Sequence, residues 1–198
     1  MNLESCFPFL TEKGHVISLV GGGGKTTLMY AMASCCARKD WKVLATTTTH
    51  IMKPPGGVWA DNNAARDALW ADGSYAVAGS AAPEGKLTVP PAQLLTRWME
   101  LADLTLIEAD GAKRMPCKAP AVHEPVILPQ CDTVLAVAGL SALGRPLEKV
   151  CFRAELAAGL LGAPLDAALT PELLAELLAS EQGGRKLVGS RAFYAVLN

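Results

Sequence analysis

The sequence predicts a three-layer α/β fold with a mostly parallel sheet, and two features predict it. Apolar runs at 15–20, 104–107 and 133–138 show no strict polar alternation, which is the pattern of strands covered on both faces. Between them lie segments with apolar residues at helical spacing, so strands and helices alternate along the chain. Such sheets collect ligands at the carboxyl ends of their strands. Three polar clusters fall at those ends: Gly21 to Thr27, Thr46 to His50, and Glu108 with Asp110 and the loop after them.

Taken in order, residues 1–14 read as an irregular lead-in. His15 to Val20 is the first strand, and Leu28, Met29, Met32, Cys35 and Cys36 mark a helix that ends in Arg38 and Lys39. Trp41 to Ala45 is a second strand, running into four threonines and a turn at Pro54 to Gly57. A helix at 61–70 is capped by Asp61. Tyr75 to Gly79 and Lys86 to Val89 form a small edge hairpin around Pro83-Glu84-Gly85. Pro90-Pro91 opens a helix that runs to Ala102, with Leu94, Leu95, Trp98 and Leu101 on one face. Strands follow at 104–107 and 133–138, helices at 151–161 and 171–180 (the second with Thr170 as N-cap), and a last strand from Ala192 to Leu197.

The stretch with the most chemistry is Gly21-Gly22-Gly23-Gly24-Lys25-Thr26-Thr27, set between a strand and a helix. Glycines admit positive φ, so successive N–H groups can turn toward one anion, and the following helix adds its unpaired N–H groups. Lys25 is placed to reach the β/γ-phosphates of a nucleotide, and the Thr26 hydroxyl to hold Mg²⁺. The spacing is Gly21-x-x-Gly24-Lys25-Thr26 with Leu19 where the longer pattern has its first glycine, which resembles the loops of Mur ligases and some metallocofactor-maturation proteins. This loop makes the predicted fold P-loop NTPase-like, a single nucleotide-binding domain over residues 1–198.

Leu104 to Asp110 resembles a Walker B strand, where a carboxylate holds Mg²⁺. Asp110 is expected in that role, with Glu108 orienting water; the two face the same side if the strand persists. Thr47 and Thr48 are candidates for the metal shell or a phosphate. Lys113 and Arg114, with Lys118, form a basic run beside the expected phosphates. His50 and His123 read as metal ligands, bases or plain surface residues, a weak zinc signal.

Together, Val20 to Thr27, Thr46-Thr-Thr-Thr-His-Ile51, Glu108-Ala-Asp-Gly-Ala-Lys-Arg114, Lys118-Ala-Pro120, His123-Glu-Pro125 and Ala138-Gly139-Leu140, on to the Gly183-Gly184 region, resemble the YqeC family of selenium-dependent hydroxylase accessory proteins. The resemblance implies a nucleotide-binding protein that serves maturation of a molybdenum hydroxylase or its cofactor. Ala195-Val196-Leu197-Asn198 also resembles the strand and first residue of an Asn-Lys-x-Asp guanine-reading motif, so the expected cofactor is ATP or GTP with Mg²⁺.

Composition sets the outer bounds. At 51% apolar and 19% charged residues the chain is globular in type, and a net charge of −1 gives no general attraction for nucleic acid or anionic membrane. No apolar run reaches the roughly 18 residues of a bilayer span. The N-terminus lacks a basic n-region, and six cysteines without a CxxC pair read as reduced thiols, so a cytoplasmic location is expected. The leading expectation is a slow nucleoside-triphosphate hydrolase. The alternatives are an ATP-dependent transferase or ligase acting on a small substrate, and a non-catalytic anion- or cofactor-binding module.

Overall fold

A computed structural model describes residues 3–198. It divides into two compact units, one comprising the chain up to Ile17 with Thr26–Glu108, the other Ser18–Lys25 with Ala109–Asn198.

The first unit opens with α1 (Leu3–Cys6) and a 3₁₀ turn, and leads into β1 (His15–Gly21), whose last residues belong to the second unit. After α2 (Lys25–Ala37) come β2 (Val43–Thr47), β3 (His50–Met52), β4 (Trp59–Ala60), α3 (Asn63–Ala71), β5 (Ala76–Ala78), β6 (Ser80–Ala82), β7 (Lys86–Thr88), α4 (Ala92–Leu101) and β8 (Leu104–Glu108). Strand β2 lies between β5 and β8 and runs parallel to both, and β4 is parallel to β5. All five residues of β2 and of β8 are buried, the threonines of both and Glu108 included.

The second unit contains β9 (Cys117–Lys118), β10 (Thr133–Ala138), α5 (Leu147–Val150), β11 (Cys151–Phe152), α6 (Ala154–Leu161), α7 (Pro171–Ala179) and β12 (Ala192–Leu197). Strands β10 and β12 pair in parallel from Thr133 opposite Ala192 to Ala138 opposite Leu197. Within each unit, the large-sheet pairings given above are parallel. The fold is the three-layer α/β, P-loop NTPase-like class that the alternation of elements predicts.

The hairpin turns at Pro83–Gly85, but its first arm is Ser80–Ala82, and β3 adds a third antiparallel strand. Ala76–Ala78, expected in that arm, joins the large sheet instead, because its three residues are apolar enough to be buried completely. The cap of α3 is Asn62 rather than Asp61: its side chain accepts a hydrogen bond from the Ala65 N–H. Helix α4 buries Leu95, Trp98 and Met99, an i, i+3, i+4 stripe, and leaves Leu101 nearly half exposed. The helix expected over 151–161 is interrupted. Cys151 and Phe152 pair with Cys117 and Lys118 of β9, and Arg153 takes φ 63°, a left-handed conformation that a helix interior does not admit. Thr170 caps α7 as read, accepting from the Leu173 N–H, with Pro171 in the first turn.

Six cysteines are free thiols, four of them buried. No described helix is long and apolar enough to cross a membrane.

Candidate phosphate-binding site

In the second unit the glycine loop is held by protein before any ligand is considered. The N–H of Gly21 donates to Asp110 Oδ2 (3.0 Å), that of Gly22 to the Val137 carbonyl (2.8 Å), and that of Gly23 to the Met115 carbonyl (3.0 Å). The sequence reading has these N–H groups facing a common anion; in the structure three of them are already satisfied. The glycines are needed for another reason. A Cβ on Gly21 would lie 2.3 Å from the Val137 carbonyl oxygen, and one on Gly23 would lie 2.1 Å from the Gly139 nitrogen, both closer than real Cβ atoms approach. Positive φ at Gly21, Gly23 and Gly24 completes the turn. Among the described residues, the N–H groups of Gly24 and Thr26 have no acceptor, and these remain for an anion at the start of α2. Asn198 closes the other side of the loop, donating from its carboxamide to the Gly23 carbonyl (2.8 Å).

Lys25 is only 4% exposed. Its ammonium donates to the Gly21 carbonyl (2.6 Å) and forms an ion pair with Asp110 Oδ1 (3.0 Å). Asp110 is equally buried and also pairs with Lys118 (2.9 Å). Lys118, whose side chain is fully buried, donates to the Gly111 carbonyl (2.6 Å) and reaches Glu124 (2.8 Å), which in turn takes Arg153 (2.7 Å). The result is a continuous chain of alternating charge, Lys25–Asp110–Lys118–Glu124–Arg153. Burying isolated ions costs several kcal/mol each, so a buried network stands only when every member is paired.

Burial alone would raise the Glu124 carboxyl pKa, but hydrogen bonds from Lys118 and Arg153, the Lys118 charge and the Ala121 N–H override it and bring the pKa down to about 2. A carboxylate depressed in the folded state contributes stability above its unfolded pKa, and that contribution is lost as pH falls through the folded value. Acid unfolding should therefore steepen between about pH 4.3, the unfolded glutamate value, and the folded value of about 2. Glu124→Gln should flatten that limb in a stability–pH series. An unchanged acid limb in the variant would show that the pairing contributes nothing.

In the first unit the threonine run is largely spent on the backbone of neighbouring strands. Thr46 donates to the Ala78 carbonyl (3.1 Å), and Thr47 to the Glu108 carbonyl (2.9 Å) while accepting from the Thr49 N–H (3.0 Å). The Thr48 N–H donates to the Glu108 carbonyl (3.1 Å), so Thr47 and Thr48 fasten the ends of β2 and β8 together. Thr26 Oγ1 donates to Glu108 Oε2 at 2.5 Å. Tyr30, one helical turn after Thr26, stacks on Tyr75 with ring centroids 5.8 Å apart. Burial, then the Glu108 charge, push its phenol pKa up.

Strand β8 ends at Glu108. Glu108 accepts from Thr26, and Asp110 meets the Gly21 N–H, Lys25 and Lys118. The basic run also divides. Lys118 is buried, whereas Lys113 and Arg114 are exposed. His50 is exposed on β3 and His123 is exposed in a turn, and no group of three or more His, Cys, Asp or Glu with metal-binding geometry occurs among the described residues. Two participants escape sequence reading. Glu124 stands out only as part of His123-Glu-Pro125, and Arg153 carries no local signal, since its partner is 29 residues away.

A family model described as "YqeC protein" matches residues 17–155. A curated relative, "Uncharacterized protein YqeC" of Escherichia coli (strain K12), is 35% identical over 182 residues, covering 87% of this chain and 71% of the relative. No solved structure matches the chain. The family match includes the glycine loop, the threonine run, both strand-end carboxylates, Lys118, Glu124 and Arg153. The chain belongs to the YqeC family.

Proposed function

We propose that this chain binds ATP or GTP with Mg²⁺ at the glycine loop, hydrolyses it slowly, and serves as a cytoplasmic accessory protein in maturing a molybdenum hydroxylase or its cofactor. The observation that carries the nucleotide reading is the start of α2: Gly24 and Thr26 offer unpaired N–H groups on either side of Lys25, the loop cation. Phosphate recognition at a helix N-terminus uses that combination. The molybdenum part of the reading rests on the family resemblance alone.

For the metal, the donor chemistry favours Thr26 and Glu108 over Asp110. Mg²⁺ takes hard oxygen ligands, commonly one or two carboxylates with substrate phosphates and water. The Thr26 hydroxyl and the Glu108 carboxylate already meet at 2.5 Å. Asp110 has one oxygen on Lys25 and the other on Lys118 and the Gly21 N–H. Bound there, Mg²⁺ would neutralise phosphate charge, and Lys25, the residue before Thr26, would do the same. Asp110, expected as the ligand, then acts as the group that positions Lys25. With Asp110 so engaged, it is a poor base for attacking water, which supports slow turnover.

The test is a thermal melt. A ligand at about 100 times its Kd stabilises by about 2.7 kcal/mol, so ATP or GTP with Mg²⁺ at millimolar level should raise Tm by several degrees. A melt that moves with neither nucleotide removes the reading.

A further inference from the structure

Phe152 is ringed by cations. Arg153 Cζ lies 4.3 Å from its ring centroid, Lys113 Nζ 5.2 Å and Lys118 Nζ 6.0 Å. Lys118 is neutralised within the buried network, and Arg153 is anchored on one nitrogen by Glu124. The side chains of Lys113 and Arg114 have no hydrogen bond or ion pair to any described residue.

The backbone points to the same place. Lys113, Arg114 and Arg153 all adopt positive φ, at 47°, 63° and 63°. They are three of the six non-glycine residues that do so among the described residues. Long side chains rarely take this conformation, and where they do the strain concentrates at binding and catalytic sites. Like charges gathered on strained backbone repel one another unless an anion joins them. An aromatic ring that holds cations by its face sets their positions in advance and lowers the ordering cost of recognition.

We propose that Lys113 and Arg153, assembled around Phe152, form with Arg114, the residue after Lys113, a second anion site that takes the phosphate or carboxylate group of a small second substrate. Calling the ligand a second substrate rests on the nucleotide reading above; the anion site itself does not. Arginine's planar fork suits either oxyanion, and Lys113 adds a point charge. Such a site supplies what a nucleotide-dependent transferase needs beside its phosphate loop, a fixed handle on the acceptor.

The test uses the full chain, first saturated with Mg²⁺ and nucleotide, then titrated calorimetrically with inorganic phosphate in one arm and citrate in the other. One of the two anions should give a further binding event. Lys113→Gln/Arg114→Gln should weaken that event at least tenfold, and because both side chains are exposed and unpaired the variant should melt like the parent. The loss should also shrink as ionic strength rises. No event with either anion at millimolar level overturns the site, as does an event that survives the double variant. A parallel loss of nucleotide affinity overturns it too, by putting these cations on the nucleotide phosphates. If nucleotide fails to bind at all, the same titrations on the Lys25→Ala chain still report the anion site, so the two readings fail separately.

Discussion

Asp110→Asn should cost about 3–5 kcal/mol of folding stability, the range for breaking a buried ion pair by removing one partner. The substitution keeps the size of the side chain and its ability to accept from the Gly21 N–H. It removes the charge that holds two ammonium groups, Lys25 at 3.0 Å and Lys118 at 2.9 Å, in a region where all three side chains are at most 3% exposed. Lys118 would retain Glu124, but that carboxylate is already shared with Arg153. Lys25 would keep the Gly21 carbonyl. Chemical denaturation at neutral pH measures the effect. A loss under about 1 kcal/mol, the usual size for an exposed pair, would mean that water reaches the network. Where Asp110→Asn leaves too little folded protein to titrate, Lys118→Met provides a second reading, since an apolar replacement for a buried ion is tolerated far better when its partner keeps another cation. Lys118→Met should therefore be milder than Asp110→Asn, and the reverse order would contradict the alternating chain of charges.

What can be read from the sequence follows from how local each signal is. Residues 133–138 and 192–197 read as strands with the bounds the structure gives them, because each signal runs over six consecutive residues, although only the first of the two strands is buried. The two-residue strands β9 and β11 have no such pattern, and their pairing joins Cys117 to Cys151 across 34 positions of chain. The glycine loop is legible because strand, glycines, lysine and helix are contiguous. The meaning of its glycines is not, since the crowding comes from Val137, Gly139 and Met115, more than 90 residues later. The two carboxylates are the clearest case. Alternation along an extended chain puts Glu108 and Asp110 on one face, but β8 ends at Glu108, and Asp110 turns to the two lysines. The contacts of Asp110 depend on that ending, which a strand read over 104–107 already places beside Glu108.

Glu108→Gln should abolish most of the magnesium dependence of nucleotide binding while leaving the fold intact. The carboxamide can still accept from Thr26 Oγ1, so the contact at 2.5 Å survives in neutral form. The hard anionic oxygen that Mg²⁺ prefers is lost. Charge-assisted contacts are worth about 1.5–3 kcal/mol against about 1 for neutral ones, a difference that corresponds to roughly two- to thirtyfold in affinity at ~1.4 kcal/mol per decade. Titrations with Mg²⁺ should show that fall, and titrations in chelator should show little change or a slight gain, because one carboxylate near the phosphates is gone. Lys25→Ala has the complementary signature: affinity should drop by tenfold or more with and without the metal, since the proposed site puts the ammonium directly on phosphate. Asp110→Asn, judged on the protein that remains folded, should resemble Lys25→Ala rather than Glu108→Gln, because Asp110 acts through the lysine. If Asp110→Asn instead removes the metal dependence and Glu108→Gln keeps it, Mg²⁺ sits on Asp110 and the salt bridge to Lys25 opens when nucleotide arrives.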